Sequence, residues 1–316
     1  MKIIIKPGQS GNIIVTIAIG KEYTENWMKY ALPTWQKYCE RHKLGLVVFD
    51  DDLISKNDIT WKKPTWQKMI IGDYLSKHLE NVVNVCYIDS DFIINYFAPN
   101  IFDFYTPSTI GLVSQYRNLP YVQEDVKRRI AFFRNRYYDN NYPLDSALFM
   151  SLKQIFEFHN LPVQKDYACA GLFIMNVKRH AAIMKEWFEK YDKNIHSVTG
   201  GGDECHFNYE VQNYGKITWL DYKFQAIWIF EMAWKYPFLY DFGRNNDVLI
   251  KECIEASLFT NYFLHFAGSW HESNMWKVGG ILSEDRSQKI FSEFENYLKQ
   301  PVSGVPVGLI KPILNK

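Results

Sequence analysis

Residues 82–95 read VVNVCYIDSDFIIN, an apolar and β-branched run that ends in two aspartates, Asp89 and Asp91, separated by Ser90. Short apolar runs of this kind are typical of buried strands. The two aspartates would then stand at the carboxyl end of the strand, where open α/β sheets bind ligands. Neighbouring carboxylates repel each other unless a cation lies between them. The stretch therefore predicts a site for a hard divalent ion that bridges to substrate phosphates, although Asp-x-Asp also occurs in solvated turns.

The bulk composition limits the classes of protein to which the chain can belong. It has 316 residues, 47% of them hydrophobic, which suffices for one large domain or two small ones. The net charge of +1 gives no overall attraction to nucleic acid. The five cysteines are scattered and form no C-x-x-C pair, so neither a zinc site nor a disulfide framework is indicated.

The amino terminus and the hydropathy of the chain bear on its location. The run Ile3–Ile5 is too short for a signal peptide and is followed by Lys, Pro and Gly. No stretch approaches the roughly 18 apolar residues of a membrane span. We therefore expect a soluble, cytoplasmic protein.

Apolar periodicity predicts strands and helices that alternate from the start of the chain: strands 12–19, 44–49 and 82–88, and helices 24–41 (interrupted at Pro33) and 65–79. This β-α-β-α-β order implies an α/β fold, Rossmann-like, with a mixed but mainly parallel sheet flanked by helices. Later elements are predicted as strands 110–114, 170–177 and 263–266, and as helices 144–158, 178–191, 203–211 (with Asp203 as N-cap) and 284–298.

Residues 115–145 form a basic and aromatic insertion between these elements. Such a segment is typical of an amphipathic surface helix and loop. It also suits a lid over an acceptor, a peripheral membrane contact or a homodimer contact. The sequence leaves these alternatives open.

Five patterns follow one another along the chain: Trp66-Gln67-Lys68, Asp89-Ser90-Asp91, Ala168–Val177, Gly202-Asp203-Glu204 and Leu264–Gly268. Their order resembles the GT-A nucleotide-sugar glycosyltransferases, in particular the retaining enzymes of family 8 (glycogenin and bacterial galactosyltransferase-like proteins), and over residues 31–95 also family 34. The resemblance spans roughly residues 12–277. It implies one GT-A domain over 1–300, with a nucleotide-binding half (12–115) and a donor-sugar and acceptor half (116–300). Pro301, Pro306 and Pro312 separately predict an extended arm over 301–316.

The resemblance implies that Asp89, Asp91 and His265 hold Mn²⁺ or Mg²⁺. An imidazole ligand favours Mn²⁺, the softer ion. Taken alone, a histidine between Leu264 and Phe266 would be an ordinary buried residue.

The resemblance also implies a set of residues around the donor and the reacting carbon. The catalytic candidates are Asp203, Glu204 and His271, and the donor-binding candidates are Tyr23, Lys68, Ser90, Asp166, Cys169, Ala170, Gly171 and Gly268. The chain departs from the family pattern where Cys169 replaces Asn, Glu204 replaces Gln, and His271 stands at the position of a lysine.

The function implied is metal-dependent transfer of a sugar from a nucleotide-diphosphate sugar, a UDP-hexose or UDP-pentose, to a hydroxyl of a glycan or glycoconjugate, with retention. Attack from the face of departure and double displacement through Glu204 or Asp203 both remain open. The alternatives are a carbohydrate-binding protein on a degenerate transferase fold, and a metal-dependent phosphohydrolase with Asp50–Asp52 as its second acidic motif.

Overall fold

The computed structural model describes residues 1–138, 147–195 and 202–283, together with Thr199 and Asn296. The contacts between residues divide the chain into a compact unit over Met1–Ile281 and a second unit over Leu282–Lys316. The predicted helix over 284–298, the arm over 301–316 and the start of the predicted helix at 144–146 lie outside the described residues.

A seven-stranded sheet forms the centre of the first unit, in the order β1-β3-β2-β4-β7-β6-β8. The strands are β1 (Lys2–Ile5), β2 (Asn12–Ile17), β3 (Gly45–Phe49), β4 (Asn84–Ile88), β6 (Ile110–Ser114), β7 (Ala168–Asn176) and β8 (Ile217–Leu220). Strands β3, β2 and β4 are mutually parallel, as the β-α-β-α-β order predicts, and β8 is parallel to β6. Only β1 and β7 run against the others among the described strands. The sheet is therefore mixed and mainly parallel.

The short strand β1 was not predicted from the sequence. It pairs antiparallel with β3 at the edge of the sheet, with Lys2 opposite Val48. Its side chains are at most half-buried. An exposed edge strand lacks the fully apolar pattern of a buried one, which explains why the pattern did not reveal it.

Helices cover the sheet. Most of them fall on segments predicted as helical, whereas the two over Trp228–Lys235 and Asp247–Thr260 were not predicted. The helices are α1 (Lys21–Asn26), α2 (Leu32–His42), α3 (Pro64–Gln67), α4 (Ile71–His78), α5 (Gln123–Tyr137), α6 (Leu152–Phe158), α7 (Val177–Lys190), α8 (Glu204–Tyr214), α9 (Trp228–Lys235) and α10 (Asp247–Thr260). The interruption predicted at Pro33 is wrong: a π-helical turn over Trp27–Ala31 separates α1 from α2 instead. Pro33 lies in the first turn of α2, where its missing N–H does no harm. Among the described residues, no helix is both long and apolar enough to cross a bilayer.

Two of these helices differ from the sequence-based prediction. The helix predicted from residue 144 begins only at Leu152, because Ser151 and Gln154 form a capping box that fixes the helix start. The start of α8 at Glu204 agrees with an N-cap at Asp203, but the side chain of Asp203 makes no capping hydrogen bond. That carboxylate points instead to Lys68.

A second, three-stranded sheet lies beside the first, in the order β5-β10-β9, with β5 (Phe92–Ile94), β9 (Ala226–Ile227) and β10 (Phe263–His265). Strand β5 follows Asp91 directly. Strand β10 pairs antiparallel with β5 and parallel with β9. This small sheet therefore brings the carboxyl-terminal part of the unit to the end of β4.

Candidate metal and donor site

The two aspartates stand in the turn between β4 and β5. Every residue of β4 and β5 is buried, which anchors the turn at both ends. The backbone N–H of Asp89 donates to the carbonyl of Gly171 at 2.9 Å, and the carbonyl of Asp91 accepts from Phe266 N–H at 3.0 Å. The side chains of Asp89 and Asp91 remain about one-third exposed. The turn is thus held rigidly while its carboxylates face the solvent side of the sheet.

The pairing of β10 with β5 places His265 against these carboxylates. His265 is opposite Phe92, the residue that follows Asp91, and its ring stacks on the ring of Phe92 with centroids 4.1 Å apart. Its Nε2 lies 3.3 Å from Asp91 Oδ1 and 3.8 Å from Asp89 Oδ2. Ligand atoms of the three side chains lie within 4.8 Å of one another.

The residues present fit a divalent ion. Asp91 Oδ1 is buried, and His265 Nε2 lies 3.3 Å from it. A buried carboxylate oxygen requires a positive partner, which a divalent ion or the protonated imidazole would supply. Two carboxylates and one imidazole form a ligand set that can hold a divalent cation. Asp50–Asp52 do not join this group within the described residues, since Asp50 pairs with Lys2 and Asp52 accepts from Gln67.

A layer of polar contacts orients the three candidate ligands. Tyr87 O–H donates to Asp89 Oδ1 at 2.6 Å. On the far side of the imidazole, Nδ1 of His265 lies 3.4 Å from Gln225 Nε2 and 3.6 Å from Cys169 Sγ. Burial alone would lower the pKa of His265, but Cys169 and Asp91 more than reverse this and hold that pKa well above its usual value. Contacts of this kind fix the orientation of ligating side chains.

Gly171 occupies a position where no side chain fits. A Cβ atom there would lie 2.5 Å from His265 Cε1 and 2.7 Å from Asp89 Oδ2. Gly171 belongs to β7, whose residue Leu172 pairs with Ile88 at the end of β4. The glycine therefore lets β7 pass directly beneath the group formed by Asp89, Asp91 and His265.

A buried charge cluster continues the site along β7. Lys68 Nζ lies 3.1 Å from Asp203 Oδ2 and donates to the carbonyl of Ala170 at 2.9 Å. Glu204 Oε2 accepts from Ala170 N–H at 3.3 Å. Both Lys68 and Asp203 are almost fully buried, at 3% and 4% side-chain exposure.

Burial and neighbouring charges set the protonation of this cluster. Burial raises the pKa of Asp203 to about 7, although Lys68 opposes the rise. Burial would lower the pKa of Lys68, but the carboxylates of Asp203, Asp89 and Glu204 raise it above its usual value. Burial also raises the pKa of Glu204, against the influence of Lys68. Lys68 therefore keeps its charge at neutral pH.

A cleft of about 650 Å³ opens over the aspartates. Predicted site residues that line it are Tyr23, Asp89, Ser90, Asp91 and Gly268. It is also lined by residues that were not predicted as site residues, among them Asn26, Lys63, Thr65, Tyr87, Ser273, Asn274, Trp276 and Lys277. Tyr23 stands at its rim with 66% of its surface exposed.

Two predicted site residues have their contacts away from this cleft. Asp166 is buried, and its carboxylate accepts hydrogen bonds from Ser114, from Arg117 and from the N–H of Tyr167. A ring nitrogen of His271 lies 3.1 Å from the carbonyl oxygen of Arg244. Their predicted roles in donor binding and catalysis remain predictions.

Sequence reasoning overlooked Tyr87, Gln225 and Lys277. Tyr87 precedes Asp89 by two residues, so the alternation of a strand would have placed both side chains on one face. Lys277 lies beyond Gly268, where the last of the five patterns ends. Gln225 carries no local signal, because its contact with His265 arises only from the pairing of β9 with β10.

No protein-family model matches the chain, and no curated protein sequence matches it. Solved structures do superpose on it. One is a glycosyltransferase involved in the glycosylation of the major capsid of PBCV-1, with 11% identity and a TM-score of 0.46 over 84% of this chain and 98% of that one. Another is the galactosyltransferase LgtC in complex with donor and acceptor sugar analogs, with 13% identity and a TM-score of 0.46 over 87% of this chain and 98% of that one. A third is the glycosyltransferase GlyE of Streptococcus pneumoniae TIGR4, with 12% identity and a TM-score of 0.44 over 93% of this chain and 66% of that one.

Because one fold supports many activities, function must be argued from the side chains of the site.

Proposed function

We propose that the chain is a metal-dependent glycosyltransferase that moves a sugar from a nucleotide-diphosphate sugar to a hydroxyl of a glycan or glycoconjugate. The observation that carries the proposal is the convergence of Asp89, Asp91 and His265 within 4.8 Å at the floor of a large cleft. Carboxylates that share a divalent ion commonly use it to grip a diphosphate. The identity of the ion, Mn²⁺ in preference to Mg²⁺, follows from the imidazole.

Charge distribution supports the assignment of roles within this proposal. A divalent ion held by Asp89, Asp91 and His265 would stabilise the negative charge of a leaving nucleoside diphosphate. We assign a second positive charge for that diphosphate to Lys277, which lines the cleft together with the aspartates. His271, the sequence-based candidate for a similar role, has a ring nitrogen 3.1 Å from the carbonyl oxygen of Arg244, and its role stays a prediction. Fixed positive groups aimed at developing negative charge lower the barrier to bond cleavage.

The buried cluster below Gly171 suits the sugar half of the donor. Lys68 and Glu204 meet the backbone of Ala170, the residue before Gly171, and Asp203 pairs with Lys68. As the glycosidic bond breaks, the sugar ring gains positive charge, as in glycoside hydrolysis. Carboxylates beside the ring stabilise that charge. Glu204 is the carboxylate that we assign to this role, with retention of configuration as the expected outcome and Asp203 held in place by Lys68.

Neither alternative function is favoured by a particular contact. A phosphohydrolase would gain from a second acidic motif at the metal, and within the described residues Asp50–Asp52 form other pairs. A carbohydrate-binding protein without catalysis gains nothing from a buried carboxylate oxygen opposite an imidazole.

The test is isothermal titration of the full chain with UDP and with GDP, in the presence and absence of MnCl₂, followed by a screen of UDP- and GDP-sugars for metal-dependent hydrolysis. We expect one nucleotide to bind only with the metal. Asp89→Asn should weaken that binding by at least roughly 10- to 100-fold, because a neutral amide replaces a charged ligand of the metal and even contacts behind a ligand are worth that much. Asp73→Asn, which alters an exposed ion pair with Lys77, serves as the matched control. Absence of metal-dependent nucleotide binding in the wild type would refute the proposal.

A further inference from the structure

One wall of the donor cleft belongs to the segment that follows His265. After β10 the chain passes through Gly268 and enters a 3-10 helix over His271–Val278. Ser273, Asn274 and Lys277 of this helix line the cleft. A shift of this helix would therefore move the cleft wall, while Asp89 and Asp91 are held separately between β4 and β5.

Glu272 lies in the same helix but faces away from the cleft. Its side chain is fully buried, at 0% exposure. One carboxylate oxygen accepts from Nε and a terminal nitrogen of Arg134, and the other accepts from Tyr138 O–H at 2.7 Å. Arg134 belongs to α5, the helix of the basic and aromatic insertion, and is itself 1% exposed. The ion pair thus joins two segments that are distant in the sequence.

Aromatic and backbone contacts surround this pair. The Arg134 guanidinium lies 5.0 Å from the ring centroid of Trp270, and Tyr138 stacks on the same Trp270 at 6.1 Å. Arg244 covers the Tyr138 ring at 4.6 Å, and its carbonyl meets His271. The 3-10 helix over His271–Val278, which we call the cleft-wall helix, is thus contacted at its amino-terminal end by residues of α5 and of the segment before α10.

A fully buried ion pair is a poor source of stability, because removing both charges from water offsets most of their attraction. Such a pair is better suited to fixing one arrangement among several. Here the arrangement that it fixes is the position of the cleft-wall helix relative to α5. The planar guanidinium, which holds one carboxylate oxygen through two nitrogens, restricts rotation as well as distance.

We propose that Arg134 and Glu272 are positioning residues for the donor cleft: their buried pair fastens the helix that carries Ser273, Asn274 and Lys277 to α5. The inference rests on the proposed function, since the cleft is taken as the nucleotide-diphosphate site. The basic and aromatic insertion, through α5, would then hold the cleft wall in place.

The experiment compares the full-length wild type with Glu272→Gln and Arg134→Lys, and uses Glu231→Gln as the matched control. Glu231 is equally buried and is held by Lys235, Tyr222 and Asn261, none of which lines the cleft. Thermal unfolding and titration with UDP or GDP plus MnCl₂, whichever nucleotide the wild type binds, are measured for each protein. Donor hydrolysis then supplies KM and kcat.

We expect both glutamine variants to unfold at a lower temperature than the wild type. Of the two, only Glu272→Gln should weaken nucleotide affinity and raise KM, by roughly tenfold or more, because displaced binding groups lose their contacts with the nucleotide. Arg134→Lys keeps the positive charge but loses the two guanidinium nitrogens that hold the Glu272 carboxylate, so it should weaken nucleotide affinity to a smaller extent. It serves as the test if Glu272→Gln does not fold. Nucleotide affinity within twofold of wild type in the folded variants would overturn the positioning role alone. A wild type that binds neither nucleotide with Mn²⁺ would overturn the proposed function and this inference together.

Discussion

Gly171 and His265 lie so close that a single methyl group cannot be placed between them. A Cβ on Gly171 would stand 2.5 Å from His265 Cε1, and 2.7 Å from Asp89 Oδ2 as well. Both contacts are far shorter than ordinary van der Waals separation. Strand β7 is buried along its whole length and cannot retreat. The imidazole and the carboxylate would have to move instead.

We therefore expect Gly171→Ala to abolish or weaken the metal site while leaving the fold intact. Overpacking of a rigid site costs about 1–3 kcal/mol, which corresponds to a loss of Mn²⁺ affinity of roughly 10- to 100-fold. Titration of Mn²⁺ measures it. Gly111→Ala in β6 is the control, because its Cβ would meet Ile174 and Tyr105 at 3.2 Å in the same sheet, away from the aspartates. Equal Mn²⁺ affinity in Gly171→Ala and wild type would show that His265 is not a ligand.

Tyr87→Phe tests the polar contacts that orient the candidate metal ligands. The phenol donates to Asp89 Oδ1 at 2.6 Å and is the described side chain that orients this carboxylate from the strand side. Loss of such a contact typically weakens metal affinity by about 10- to 100-fold. Tyr38→Phe removes a similar buried hydrogen bond, to the carbonyl of Pro99, and should lower stability without changing Mn²⁺ affinity. Similar losses of Mn²⁺ affinity in the two variants would contradict an orienting role for Tyr87.

Lys68→Met tests whether the buried pair of Lys68 and Asp203 contributes to folding stability, to donor turnover, or to both. Lys68 opposes the rise in the pKa of Asp203, so without the ammonium this buried carboxyl should be protonated at neutral pH. Leaving it without its partner should cost about 1–3 kcal/mol of folding free energy. The double variant Lys68→Met/Asp203→Asn removes both charges and should recover most of that stability. Urea unfolding measures this. Donor turnover should stay low in the double variant. Recovery of turnover along with stability would mean that the pair is purely structural.

Local sequence patterns predicted much of the fold and the part of the site that lies around Asp89, Asp91 and Lys68. The β-branched run before Asp89 and the helical spacing around Lys68 are properties of short segments, so the strand, the helix and the acidic turn could be predicted from them. The antiparallel direction of β7 could not, since every residue of that strand is buried and its pattern is the same for either direction.

His265 shows where local reasoning ends. Its neighbours in sequence are apolar, and a buried histidine there would attract no notice without the family resemblance. What makes it a candidate ligand is the pairing of β10 with β5, a contact between segments far apart in the chain. The position of Gln225 behind the ring depends on the same small sheet. Non-local strand pairing of this kind is specified by tertiary packing.

Lys277→Met tests the cation that we assign to the leaving diphosphate. Lys277 lines the cleft together with Asp89 and Asp91, and its ammonium lies 3.9 Å from Glu22 Oε1. Removal of one group that stabilises transition-state charge lowers kcat by about 10²- to 10³-fold. Lys153→Met, which alters an exposed ion pair on α6, is the control. A rise in KM with kcat unchanged would show that Lys277 contributes only to binding.

Buried His206 gives a prediction for the dependence of stability on pH. Burial, together with the charges of His159 and Lys190, lowers the pKa of His206 from its ordinary value of about 6.5 to about 4. The unfolded chain therefore binds the proton more readily than the folded chain. As the pH falls from 6.5 to 4, the folded state should lose about 3 kcal/mol relative to the unfolded state, and above pH 6.5 this residue should have no effect. Urea unfolding of wild type and His206→Gln at intervals between pH 4 and 8 measures the difference. We expect the free-energy gap between the two proteins to shift by about that amount in favour of the variant at low pH; parallel curves would contradict the assignment of a neutral, buried imidazole.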